Sequence, residues 1–151
     1  METLEDFPVL VEFPIQWGDM DALAHVNNVI YFRWWETSRV TYAKQIGVFG
    51  GDTFPPDGPR TGSILAGIQC NFRKQLTWPD SVQVGSRIKR VGNKSLEIEH
   101  RLLSANVDGL IADAVSTMVA FDFDQQKTVR VSDEIRAAIR EIEGDRKIEG
   151  L

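Results

Sequence analysis

The sequence holds a single cysteine, Cys70, so no disulfide can form within the chain, and a reducing compartment suits it. Two histidines and that one thiol are too few for a structural zinc site, so no metal is expected. No apolar run approaches the ~20 residues of a membrane span. The first residues, Met-Glu-Thr-Leu-Glu-Asp, lack the basic and then apolar pattern of a secretory signal, and a cytoplasmic location is expected. Positive charge is also short. The formal net charge is −5, which points away from nucleic acid, because phosphate-binding domains usually carry a basic excess. A few well-placed lysines or arginines can still hold a small anion.

What is present is ordinary globular material. The 151 residues are 42% hydrophobic and 26% charged, enough for one domain, residues 1–151, with a core that needs no staples. Residues 8–17 alternate loosely and carry Pro8 and Pro14, which predicts an edge strand. Residues 18–28 are polar and turn-rich, and they end on Asn27 and Asn28, either of which can cap a helix. Residues 29–46 contain neither proline nor glycine and predict a helix. Ile30, Tyr31, Trp34, Trp35, Ser38 and Tyr42 form one broad stripe, and Phe32 and Val40 extend the apolar character beyond it. A helix so apolar all round must be buried by more than one surface.

Residues 47–62 hold five glycines and three prolines and read as a long irregular loop. Four strand-like runs follow, at 63–73, 81–91, 94–105 and 110–122, read as consecutive antiparallel neighbours. Gly92-Asn93 and Asp108-Gly109 are hairpin signals, since these residues tolerate positive φ. The run at 110–121 is apolar on both faces and therefore central. His100 shares the parity of Leu96, Ile98 and Leu102 and reads as a half-buried, hydrogen-bonded histidine. Cys70 lies in an apolar strand and reads as inert. Ser132-Asp133-Glu134 opens a second helix, and the charged tail from Gly144 reads as frayed. The sum is an α+β domain, one helix on one antiparallel sheet. A single sheet cannot surround a helix, so a second chain is expected to cover the rest.

The chemistry concentrates in Trp17-Gly18-Asp19-Met20-Asp21-Ala22-Leu23-Ala24-His25-Val26-Asn27-Asn28. Two carboxylates and a histidine stand just before a helix N-terminus. The free N–H groups there, with the helix dipole, can polarise a carbonyl and hold the oxyanion of acyl transfer. A neighbouring carboxylate can attack or activate water. On the residues alone, Asp19 and Asp21 rank equally.

Gly-Asp-Met-Asp, three residues, His-Val-Asn-Asn and then an aromatic helix resembles the thioesterase family typified by 4-hydroxybenzoyl-CoA thioesterase. The segment from Asn71 to Asp80, with an aromatic and basic residues before Pro79-Asp80, is similar to that family's strand exit. The resemblance spans nearly the whole chain. It implies a hotdog fold, in which an antiparallel sheet wraps a long central helix, and hydrolysis of an acyl-CoA thioester to free acid and coenzyme A. It further implies that Asp21 is the nucleophile or general base and that the N–H of Asn28 polarises the thioester carbonyl. His25 and Asn27 would line the substrate, and Trp34 or Trp35 an acyl pocket. Arg73, Lys74, Lys89, Arg90 and Lys94 cluster around two strand ends. As single residues these cations read as a solvated sheet edge. The resemblance implies instead that Arg73, Lys74, Arg90, Lys94 and Ser95 meet the coenzyme A phosphates. A homodimer is implied, or a tetramer, and no cofactor, since coenzyme A belongs to the substrate. One residue departs from the family: Ala24 stands where glycine is usual, and alanine would be strained if that position needs φ > 0.

Two rivals remain at this point. A hydratase of the same fold would pair its aspartate with a histidine five residues on, within a serine-glycine-aspartate context; here His25 follows Asp21 by four. A non-catalytic acyl-CoA-binding module would keep the basic cluster and dispense with Asp21.

Overall fold

A computed structural model describes residues 2–48 and 60–151. The elements run β1 (Val9–Pro14), a 3-10 turn (Trp17–Asp19), α1 (Asn28–Gln45), β2 (Thr61–Phe72), β3 (Ser81–Val91), β4 (Ser95–Ser104), β5 (Leu110–Asp122), β6 (Lys127–Thr128) and α2 (Asp133–Glu143). The loop predicted at 47–62 lies largely outside the described residues.

All strand pairs are antiparallel, and the sheet order is β1-β3-β4-β5-β2, with β6 on β5. The two predicted hairpins form, and Gly109 takes φ +85 in the second. β5 lies between β4 and β2, so it is central as expected, and β1 is an edge. One expectation fails. β2 is no neighbour of β3; it crosses to the far side of the sheet, pairs with β5 and leaves its other side open. The segment 73–80 is too long for a tight hairpin and frees β2 to make that crossing.

Helix α1 is capped by Asn27, whose Oδ1 accepts the N–H of Val29 at 3.0 Å. It lies across the sheet and buries Tyr31, Trp34, Trp35, Ser38, Arg39, Tyr42 and Ala43. Trp35 and Tyr42 are wholly enclosed, and burying an aromatic of that size contributes about 2–3 kcal/mol. Phe32, Arg33, Glu36 and Thr37 stay exposed, so within one chain the helix is covered on one side only. The core divides into two clusters. One surrounds Trp35, Leu76, Val84, Leu102 and Ile111; the other joins Tyr42, Ile88, Ile98 and Met118 to Ile139 of α2.

The tail expected to fray is instead held down. Ile148 is buried, and the carbonyl of Glu149 accepts the N–H of Val91 at 2.9 Å. Arg136 Nη1 also donates to the Gly150 carbonyl at 3.3 Å, and Leu151 packs on the same core cluster as Ile148, so a stretch whose charge suggested freedom is anchored. Glu143 reinforces the closure. Its Oε1 accepts the Tyr42 hydroxyl and the Ile88 N–H, both at 2.6 Å, and its Oε2 accepts Arg146 at 2.9 Å. The N-terminal segment folds onto the outer face of the sheet. There Gly85 admits the Phe7 ring: a β-carbon would sit 2.8 Å from Phe7 Cγ. Among the described residues no helix is long and apolar enough to cross a membrane.

Candidate functional site

The loop before α1 is built from its own polar side chains. Asp19 Oδ2 accepts the Gln16 N–H at 2.8 Å and the Asp19 carbonyl accepts Asn27 N–H at 2.9 Å, so Asp19 clasps both ends of the turn. Asp21 opens the next turn. Its Oδ1 accepts Leu23 N–H at 2.9 Å, its carbonyl accepts Ala24 N–H at 3.0 Å, and its own N–H donates to the His25 carbonyl at 3.0 Å. The other carboxylate oxygen, Oδ2, has no partner among the described residues. Each aspartate spends one carboxylate oxygen on a loop N–H and keeps the other free among the described residues; what separates them is the cleft beside the loop, which Asp21 lines and Asp19 does not. Ala24 closes this turn with φ +64. The glycine-favouring conformation is therefore present at the position where the chain carries alanine. Val26 N–H donates to the Leu76 carbonyl at 2.9 Å, tying the loop to the segment after β2.

This tie creates a cleft of about 250 Å³ lined by Asp21, His25, Asn28, Tyr31, Phe72 and Lys74, with Leu23, Val26, Gln75 and Leu76. Asn28 is the first helical residue, and its N–H meets no acceptor among the described residues. It offers the partial positive charge of the helix start to whatever enters. Lys74 Nζ donates to the Asp108 carbonyl at the rim.

Other predicted residues lie elsewhere. Asn27 is committed to the helix cap through Oδ1. Arg73 turns to the outer face and pairs with Asp113, which also accepts Asn71 Nδ2 at 3.0 Å. Burial works to raise the Asp113 carboxyl, but the bonds from Arg73 and Asn71 outweigh it and hold it below the usual carboxylate range. Arg90, Lys94 and Ser95 sit at the far end of the β3–β4 hairpin, roughly 30 Å along the strands from the cleft end. There Arg90 meets Glu149 at 3.4 Å and Lys94 meets Thr128 at 3.5 Å. A single protomer does not bring these three residues to Asp21. Trp35 is enclosed, and Trp34 packs on Phe13, with ring centroids 6.1 Å apart; neither lines the cleft.

Tyr31, read from sequence as core, borders the cleft. Its ring stands edge-on to Phe72 at 5.0 Å and against Trp34 at 5.2 Å. Its hydroxyl has no hydrogen-bond partner among the described residues. Burial, with a smaller push from Cys70, raises the phenol to about 12, so it stays a donor at neutral pH. The available signal was spacing: Tyr31 is one turn beyond Asn28, on the same helix face. Among the described residues no group of three or more His, Cys, Asp or Glu side chains is placed to hold a metal ion.

A family model described as the thioesterase-like superfamily matches residues 15–139, from the end of β1 into α2. The chain belongs to that superfamily. The match of this thioesterase-like protein to the long-chain acyl-CoA thioesterase FadM of Escherichia coli is 24% identical, over 82% of this chain and 90% of FadM. A match to the YsmA protein of Bacillus subtilis, 25% identical, spans 63% of this chain and 59% of YsmA. Among solved structures, a thioesterase from Thermus thermophilus complexed with coenzyme A and Zn superposes with a TM-score of 0.78 and 26% identity, covering 95% of this chain and 99% of that one. The PA2801 protein of Pseudomonas aeruginosa gives 0.74 and 29%, covering 88% and 98%. The fold is the hotdog fold, and the reaction class is hydrolysis of a thioester.

Proposed function

We propose that the protein hydrolyses an acyl-CoA thioester to the free acid and coenzyme A. The observation that carries this is one cleft holding both a carboxylate with a free oxygen, on Asp21, and an unpaired N–H at a helix start, on Asn28. The thioester carbonyl would accept from Asn28 N–H, so negative charge developing on that oxygen is met by a fixed dipole. Asp21 Oδ2 then either attacks the carbonyl carbon, giving a mixed anhydride that water opens, or takes a proton from the attacking water. By either route one water is consumed and coenzyme A leaves as the thiol. His25 and Lys74 line the path, and the Tyr31 hydroxyl offers a further donor to the acyl group. No metal or redox step is needed.

A homodimer completes this reading, with a tetramer built from it as the family resemblance implies. The open edge of β2 suits pairing with a second β2. Antiparallel pairing about a two-fold axis would bring the far end of one sheet beside the Phe72 end of the other. Arg90, Lys94 and Ser95 of the second copy would then approach the cleft and meet the coenzyme A phosphates. Assignment to the 4-hydroxybenzoyl-CoA thioesterase type rests on the Asp21-to-Asn28 motif, and a cytoplasmic location on the lone cysteine.

The test is free-thiol release from short-chain, long-chain and aromatic acyl-CoAs by wild type and Asp21→Asn. Wild type should turn over at least one class, and the folded variant should lose two or more orders of magnitude in kcat. Binding without thiol release by wild type, or full activity in the variant, would sink the assignment to Asp21.

A further inference from the structure

β1 covers the edge of β3 only from Ser81 to Ser86. Beyond that point the edge would offer bare N–H and C=O groups, and the C-terminal segment takes them up. Ile88 N–H donates to Glu143 Oε1 at 2.6 Å, Arg146 Nη2 donates to the Ile88 carbonyl, and Val91 N–H donates to the Glu149 carbonyl at 2.9 Å. Glu149 forms a parallel bridge with Arg90, so the backbone itself sets these two residues side by side. The next residue permits the approach. Gly150 takes φ +79, and a β-carbon there would collide with the Val91 carbonyl oxygen.

Among the described residues one carboxylate pairs with Arg90: Glu149 Oε1, 3.4 Å from Nε. Glu97, the ladder partner of Arg90 on β4, makes no ion pair with it there. The same guanidinium borders a hollow. Gly92 carries no β-carbon, and one would stand 2.7 Å from Ser95 Oγ and 3.8 Å from Arg90 Nη1. The space left open thus has a hydroxyl on one wall and a guanidinium on another, which are donors suited to a phosphate. The side chains of Arg90 and Glu149 are 45% and 77% exposed, so an anion from solvent can reach the pair.

We propose that Glu149 is a built-in competitor of the coenzyme A phosphates for Arg90. Before coenzyme A binds, the carboxylate holds the guanidinium. A phosphate entering the hollow at Gly92 takes the guanidinium over, and Glu149 takes it back when coenzyme A departs. This rests on the coenzyme A reading above and adds to it a residue that sets the affinity. The phosphates are common to substrate and product, so both bind more loosely than Arg90 and Ser95 alone would allow. The gain falls on the product, which keeps every phosphate after hydrolysis and leaves sooner. An exposed pair of this kind is weak, so the effect is several-fold rather than orders of magnitude.

Calorimetric titration with free coenzyme A at low ionic strength tests it, on wild type, Glu149→Gln, Arg90→Gln and the double variant. Glu149→Gln should tighten coenzyme A about two- to fivefold, and the gain should shrink as salt is added. Arg90→Gln should weaken binding, and Glu149→Gln added to it should recover nothing. Both side chains are exposed, and a urea titration of each variant checks that it is folded. If Arg90→Gln weakens binding but Glu149→Gln matches wild type, the proposal is overturned and the phosphate reading stands. An equal gain from Glu149→Gln with and without Arg90 overturns it too, since that pattern marks one negative charge felt at a distance, not competition for one cation. If Arg90→Gln changes nothing, the phosphate contact at Arg90 fails, and Glu149 has nothing to compete for. A wild type that binds no coenzyme A would instead remove the proposed function, and this inference with it.

Discussion

Left-handed backbone at a residue with a β-carbon costs about 1–2 kcal/mol, and Ala24 adopts it between the candidate nucleophile and His25. The turn it closes is held by the Asp21 carbonyl and by Val26, so the loop imposes the conformation. Replacing it with glycine removes that strain but makes the unfolded chain more flexible. Ala24→Gly should therefore raise the unfolding free energy by about 0.5–1 kcal/mol, measured by urea denaturation. His100 offers a second test. Its ring sits in the core between Ser86, at 2.7 Å, and Ser116, at 3.1 Å, and burial and then Arg39 lower its pKa from 6.5 to about 3. The folded state thus holds it neutral while the unfolded state protonates near 6.5. This contribution is fully present above pH 6.5 and is lost as pH falls from there toward 3, by up to about 1.4 kcal/mol per pH unit. Wild-type stability should fall more steeply across that window than that of His100→Gln, which has no ring to titrate. The inward parity of His100 was legible in the sequence; its complete burial was not, because parity gives a face and not the depth of cover. Asp19 and Asp21 were indistinguishable for a related reason: which of the two faces the cleft depends on the path of the loop, not on residue type.

At the scale of elements, α1 was plain because an aromatic stripe without proline or glycine has few other homes. Its cap was narrowed to two asparagines, and the bond to Val29 assigns Asn27. The hairpins were equally plain, since their turns are local. The crossing of β2 was not, because strand neighbours are chosen by contacts far apart in sequence. The C-terminal closure escaped for the same reason, as it depends on Glu143 meeting Tyr42 and β3. Glu143 joins three donors from three parts of the chain, and removing it leaves the Ile88 N–H and the Tyr42 hydroxyl buried without an acceptor. Glu143→Ala should cost about 3 kcal/mol or more, and Glu143→Gln less, since an amide oxygen still accepts. Paired urea titrations would show both.

At the scale of the whole molecule, the site is spread over distant sequence. Asp21 and Asn28 come from one loop, Phe72 and Lys74 from the end of β2, and the two meet through a single backbone bond from Val26 to Leu76. The motif before α1 was readable because loop and helix start are contiguous. The proposed coenzyme A contacts could be read only as residue types, since Arg90, Lys94 and Ser95 share no end of the protomer with Asp21. The route of β2 also bears on how the chain finds its shape in time. β3, β4 and β5 form a meander of short-range pairs that can zip up early, whereas β2 must close a loop of some forty to sixty residues to reach β5. Phe72, Lys74 and the anchor for Val26 travel with that late strand. The chain would therefore acquire most of its sheet before it owns a cleft, and capture of a substrate becomes one of the last abilities folding confers.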